Sequence, residues 1–230
     1  MHYIKNIKLM HLLVLLLAAV GMTACSETDS TSSSSEKYPN DFLNWQARND
    51  TYFESVYDKA QTAINNGDTE WYIFKSLSRS TGASSNKTDY IVVHVLSQDS
   101  AAFNGQGHSE DPKSTGYPAT AAKPLTSDSV QVHYRGNLMP TDNYPLGKQF
   151  DTSWYGDYNL SYMRTTMFAV TGVIDGFATA LQYMHIKDRW EVYIPYALGY
   201  GSTESTSIPA YSTLKFDITL MAINRQKQTL

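Results

Sequence analysis

The chain has 230 residues, of which 42% are hydrophobic, 17% charged and 13% aromatic. That length fits one medium domain with an extension, and a count of 17 tyrosines is foreign to a disordered chain. A net charge of −4 excludes a global basic field for nucleic acid, and a single cysteine excludes both an internal disulfide framework and a cysteine-based zinc cluster.

The first residues read as an address. Lys5 and Lys8 precede an apolar run from Leu12 to Met22, followed by Thr23-Ala24-Cys25. The run is too short to span a bilayer, which needs roughly 20 residues. A basic flank, a short apolar core and small residues are the pattern of a secretory signal. The cysteine after the small residues resembles the lipobox of bacterial lipoproteins, in which that cysteine is lipidated and becomes the mature N-terminus. Met22 stands where those proteins usually carry leucine. The alternative is an ordinary cleaved signal with a leftover thiol at Cys25. Loss of residues 1–24 removes Lys5 and Lys8 and leaves a net charge of −6. An acidic chain is not held to anionic lipid by charge, so a membrane partnership would rest on acyl chains at Cys25. The expected place is therefore the cell envelope, lipid-anchored, on the periplasmic face of the outer membrane.

Residues 25–38 follow as a Ser-rich tether, since the run Ser26–Glu36 offers no core. Residues 41–65 are predicted helical: Phe42, Trp45, Tyr52, Val56, Tyr57, Ala60, Ala63 and Ile64 recur at helical spacing. Asn40 or Asp41 is available as a cap, and Asn66-Gly67 as a stop. The aromatic face of this helix docks either on its own domain or on a second copy, as a homodimer through residues 41–65. The period then changes to two. Strands are predicted at Trp71–Phe74, Tyr90–Leu96, Val130–Arg135, Trp190–Ile194 and Leu214–Leu220, with alternation that means half-buried antiparallel pairing. One short helix interrupts them, from Gly176 to about His185. Residues 97–127 and the Tyr-rich 151–166 remain as long loops, which in compact domains are functional or disordered. The division is thus 1–24 signal, 25–38 tether, 39–84 helical extension with one strand, and 85–230 an α+β domain.

Five motifs in the last 140 residues resemble the FKBP-type peptidyl-prolyl cis–trans isomerases. They are Val132-His133-Tyr134-Arg135-Gly136, Gly147 through Phe150-Asp151-Thr152-Ser153, Phe168 through Val173-Ile174-Asp175-Gly176-Phe177, Ile194-Pro195 through Gly199-Tyr200-Gly201, and Ile208-Pro209 through Thr213-Leu214-Lys215-Phe216-Asp217. The resemblance implies a five- to six-stranded antiparallel sheet wrapped around one short helix, with an aromatic pocket between them. Its members isomerise the bond before proline in polypeptide clients, with no metal or other cofactor. Carried over by position, the site is Tyr134, Phe150, Asp151, Val173, Ile174, Phe177, Tyr200, Ile208 and Phe216. The resemblance makes Phe177 the floor, Tyr134, Phe150 and Phe216 the walls, and the Ile174 N–H and Tyr200 hydroxyl the donors to substrate carbonyls. Asp151 organises the site, with Arg164 as its expected partner. Taken singly, Tyr134, Val173 and Phe216 read as core, and only their joint appearance at motif positions makes them a site; His133, pointing away from Tyr134, reads as structural. Phe177 stands where most members have tryptophan, and Thr166 where an aromatic wall residue is common. Those two changes leave a second reading open, a weakly active or inactive binding lipoprotein of the same fold.

Overall fold

The computed structural model describes residues 40–79, 84, 86–97, 123–161 and 163–225. The signal segment, Cys25, the tether and residues 98–122 of the first long loop lie outside them.

The predicted helix, α1, runs Trp45–Asn65. It starts four residues later than the periodicity suggests, because Asn44 sits in the left-handed region at φ 51° and a separate 3-10 turn occupies Asn40–Phe42. Its 21 residues span about 32 Å. Gly67, at φ 82°, ends it as expected: its N–H donates to the Ile64 carbonyl at 3.0 Å, and that of Asp68 to the Ala63 carbonyl at 3.0 Å.

Seven strands follow: β1 (Trp71–Lys75), β2 (Tyr90–Ser97), β3 (Ser129–Leu138), β4 (Gln149–Thr152), β5 (Thr166–Ala169), β6 (Arg189–Ile194) and β7 (Leu214–Asn224). They form one antiparallel sheet in the order β1-β2-β6-β7-β3-β4, with β5 also paired to β3. The count exceeds the expected five or six because the strand assigned to the extension, β1, is the edge strand of this same sheet, pairing Trp71 with His94 through Lys75 with Tyr90. The second helix, α2 (Asp175–Tyr183), lies on the inner face. There Phe177, Ala180, Leu181 and Met184 share a buried cluster with the alternating residues Ile91, Val93, Val95, Val130, Val132, Trp190, Val192, Ile194, Leu214, Ile218 and Leu220. This matches the period-two reading of those strands.

The outer face is covered as well. Against β1, β2 and β6 lies α1, where Phe53, Val56 and Ala60 bury Trp71, Val92 and Tyr193. The docking of α1 on its own sheet explains why Val92, polar-facing by alternation, is fully buried. Each such large apolar side chain contributes roughly 1.5–3 kcal/mol when removed from water. The Tyr-rich loop covers the other end. Trp154 is buried beneath the Arg135 guanidinium at 4.6 Å, and the Arg135 Nη2 donates to the Gly156 carbonyl at 3.0 Å. The Arg189 guanidinium lies 3.6 Å from the Tyr158 ring centre while donating to both Asp217 carboxylate oxygens, at 2.9 and 2.6 Å. Cations over aromatic faces contribute about 0.5–2 kcal/mol each, which accounts for the aromatic content of a loop that periodicity left unexplained. The described residues from Asp41 onward cluster as a single unit. Among the described residues no helix is long and apolar enough to cross a membrane.

Candidate active site

Five elements bring the expected residues together. Tyr134 projects from the middle of β3, Phe150 and Asp151 from β4, Phe177 from the first turn of α2, and Phe216 from β7. Val173 and Ile174 form the extended entry to α2, with Ile174 at φ −61°, ψ 151°. Tyr200 and Ile208 flank the turn between β6 and β7.

Phe177 is the hub. Only 3% of it is exposed. Three rings meet it edge to face: Phe216 at 5.1 Å, Phe168 at 6.1 Å and Tyr134 at 6.3 Å between centroids. Phe150 then meets Phe216 at 5.5 Å and 88°. Edge-to-face pairs at these distances add about 0.5–1.5 kcal/mol beyond their buried area, so the cluster is a stiff floor and wall. Phe150 and Phe216 come this close to β3 because Gly136 has no side chain. A Cβ there would lie 2.5 Å from the Phe150 Cζ and 2.8 Å from the Phe216 Cε1.

Phe168 had no role in the sequence reading although it opens one of the motifs. It meets Tyr134 at 5.3 Å as well as Phe177. In the structure β5 turns Thr166 and Phe168 to the same, partly buried face; the one signal in the sequence was the place of Phe168 at the head of its motif. An aromatic ring is therefore present on this strand, two residues from the position where the resemblance looks for one.

The polar groups sit at the rim. The Tyr134 hydroxyl donates to Asp151 Oδ2 at 2.7 Å, and Oδ1 of the same carboxylate accepts from the Thr152 N–H at 2.8 Å. Among the described residues no ion pair joins Asp151 to Arg164; the expected arginine partner is replaced by the Tyr134 phenol. Burial, and then the hydrogen bond that the Asp151 carboxylate accepts from it, push the Tyr134 phenol well above the ordinary tyrosine value. Tyr200 is 44% exposed, and burial of its ring together with the nearby Asp151 charge raises its phenol as well. Both phenols are thus neutral donors at neutral pH. Among the described residues the Tyr200 hydroxyl and the Ile174 backbone N–H have no hydrogen-bond partner. Two free donors therefore stand beside an aromatic floor.

His133 lies on the opposite sheet face from Tyr134. It is 2% exposed, and burial lowers its pKa. Among the described residues no group of three or more His, Cys, Asp or Glu could hold a metal ion.

Residues 120–221 match the family described as FKBP-type peptidyl-prolyl cis–trans isomerase. This region is similar to the FKBP family. The match covers β3 to β7 and both rims of the site; α1, β1 and β2 precede it. Three relatives are similar to part of the chain. One is named macrophage infectivity potentiator, from Trypanosoma cruzi, and is 39% identical over 44% of this chain and 45% of the relative. A second is an FKBP-type 22 kDa peptidyl-prolyl cis–trans isomerase from Escherichia coli K12, 37% identical over 44% of each. The third is named outer membrane protein MIP, from Legionella longbeachae, 34% identical over 46% of this chain and 41% of the relative. The chain spans less than half the length of these relatives.

Proposed function

We propose that the protein is a peptidyl-prolyl cis–trans isomerase that acts on Xaa-Pro bonds of exported polypeptides in the cell envelope. The observation that carries this reading is the pair of donors left without a partner among the described residues, Tyr200 hydroxyl and Ile174 N–H, beside the ring cluster centred on Phe177.

The chemistry asks little of the chain. Cis and trans forms of an Xaa-Pro bond differ by about 0.5–1 kcal/mol but exchange in tens to hundreds of seconds. The barrier of about 18–20 kcal/mol is the loss of amide resonance on twisting. A ten-thousandfold acceleration requires about 5.4 kcal/mol off that barrier. The twisted amide carries less charge on its oxygen and depends less on water than the planar one. A dry aromatic hollow therefore favours the twisted form, which is differential binding of the transition state. Phe177 supports the proline ring, Tyr134, Phe150, Phe168 and Phe216 exclude water, and Ile174 and Tyr200 hold the flanking carbonyls. Asp151 fixes the Tyr134 ring. No bond is made to the protein and no proton is transferred.

The envelope assignment rests on the signal-like N-terminus with Cys25, where lipidation would anchor the chain, and on the printed name of the Legionella relative. The test is exchange spectroscopy on an Xaa-Pro peptide with the purified protein, together with metabolic labelling of Cys25 by fatty acid. Accelerated exchange supports the enzyme. Peptide binding without acceleration favours the second reading, a binding and chaperone lipoprotein, for which the smaller Phe177 floor in place of tryptophan is the specific motive.

A further inference from the structure

Two parts of α1 do different work. From Phe53 onward its inward face is apolar and covers the sheet through Phe53, Val56 and Ala60. Its first turns, from Trp45 to Asn49, reach the segment Ile208–Thr213, which carries one wall of the site, and do so through polar groups. Asn49 is fully buried in the helix interior, where asparagine is a poor helix former and a poor core residue. Its side-chain carbonyl accepts from the Thr213 N–H at 2.7 Å, and its side-chain amide donates to the Trp45 carbonyl at 2.7 Å. The Thr213 hydroxyl donates to the Asn49 carbonyl at 3.3 Å. One turn earlier, the Trp45 indole N–H donates to Ser212 Oγ at 2.8 Å, and that hydroxyl donates to the Pro209 carbonyl at 2.7 Å. Ser212 and Thr213 are themselves 3% and 1% exposed, so the whole contact is dry.

The segment so held is part of the pocket. Ile208 and Trp45 lie in the same buried cluster as Phe177 and Phe216. Tyr211 is in the left-handed region at φ 60°, and its N–H donates to the Gly201 carbonyl at 2.8 Å, directly after Tyr200. Thr213 leads through Leu214 to Phe216. A helix that merely covered a sheet would need only apolar contacts. Directional bonds to Thr213 and Ser212 instead fix one backbone placement, because a buried donor left unpaired by any other placement costs about 1–3 kcal/mol.

We propose that Asn49 is a positioning residue of the isomerase site: from outside the family-matched region it locks Ile208–Thr213, and through Tyr211 and Gly201 the Tyr200 turn, in the arrangement that receives the residue before proline. This rests on the function proposed above. Two arms keep the two claims separable, both with the full chain and with Asn49→Ala beside Phe53→Leu, which weakens the apolar contact of α1 with the sheet. In the first arm, amide hydrogen exchange is followed by residue. Asn49→Ala is expected to speed exchange about tenfold or more at Gly201, Tyr211 and Thr213, with β3 and β6 unchanged, whereas Phe53→Leu leaves the 201–213 segment as in the wild type. Equal exchange at 201–213 in the two variants overturns the proposal, whatever the activity. In the second arm, KM and kcat are measured over peptides that vary the residue before proline. Asn49→Ala is expected to raise KM about fivefold with kcat within about twofold, and to flatten the preference among peptides, because a displaced Tyr200 turn loses binding that planar and twisted amides share. Phe53→Leu leaves both constants at wild-type values. Variants that lose activity only in proportion to their unfolded fraction overturn the positioning role. A wild type without isomerase activity overturns the function alone and leaves the exchange arm to decide the positioning.

Discussion

Replacing Gly136 by alanine places one methyl group where the structure has no room for it. The new carbon would stand 2.5 and 2.6 Å from Cζ and Cε2 of Phe150 and 2.8 Å from Cε1 of Phe216. Carbon atoms rest at about 3.5–4.0 Å, so about an ångström of retreat is required. Phe216 cannot provide it: it is 5% exposed and wedged edge-on against Phe177 at 5.1 Å. Phe150, half-buried on the short strand β4, can. Overpacking of this kind costs about 1–3 kcal/mol, and the partial mobility of Phe150 puts the expected loss at the lower end, about 1–2 kcal/mol. In a domain of this size each kcal/mol lowers the melting temperature by about 2–4 °C. The activity should suffer more than the stability, since an ångström of displacement in a substrate-contacting wall can cost on the order of a hundredfold. Thermal melts and peptide isomerisation well below the melting temperature measure the two effects separately. A second change, Phe150→Leu, returns the missing space and should recover most of the lost stability. A Gly136→Ala protein with wild-type melting and wild-type kcat/KM would refute the argument that Phe150 and Phe216 form a fixed wall over this glycine.

Tyr200→Phe removes a hydroxyl that has no partner among the described residues, so kcat/KM should fall about tenfold with the melting temperature unchanged; full activity would remove the carbonyl-holding role. Tyr134→Phe takes from Asp151 its only side-chain donor among the described residues, but that carboxylate is exposed, so the stability loss should stay near or below about 1 kcal/mol while activity drops as the Tyr134 ring loses its anchor. Tyr52, Tyr134 and Tyr193 all titrate above the ordinary value of 10.0, chiefly because they are buried. The unfolded chain releases those protons near pH 10 while the folded chain keeps them, so their contribution is complete below pH 10 and is lost as pH rises through the higher folded values. His133 acts at the other end: burial depresses it below 6.5, so the unfolded chain protonates first and stability declines as pH falls below 6.5. Denaturant midpoints should therefore form a plateau with a shoulder falling on each side, and His133→Gln should flatten the acid side alone.

Much of the fold is legible because alternation is a local signal. Val130, Val132 and Tyr134 face the core as their period dictates, and the Phe177–Ala180–Leu181–Met184 stripe marks α2. The outer face was not legible. Whether Val92 or Tyr193 meets water depends on α1, which docks from more than 25 residues away in sequence, and no local period reports it. The strands β4 and β5, four residues each, are too short to show a period of their own. The start of α1 was misplaced because apolar spacing continues through Phe42 while the left-handed Asn44 interrupts the backbone. The site residues came from motif positions rather than physics, and the omission of Phe168 and the expectation of Arg164 beside Asp151 follow from that: position in a motif says which residues recur, and side-chain geometry says which ones touch. Asn49 and Thr213, 164 positions apart, carry no sequence signal beyond a polar residue on a helix face that should be apolar.

The most direct test of the central claim is the pH and solvent-isotope dependence of the enzyme-catalysed cis–trans exchange at saturating peptide. A pocket that only surrounds and dries the imide should give a rate that is flat across the stability plateau and equal in H2O and D2O. A bell-shaped profile, or a rate about twofold or more slower in D2O, would mean that a proton moves in the rate-limiting step, and the account of Phe177 and its ring neighbours as sufficient machinery would be wrong.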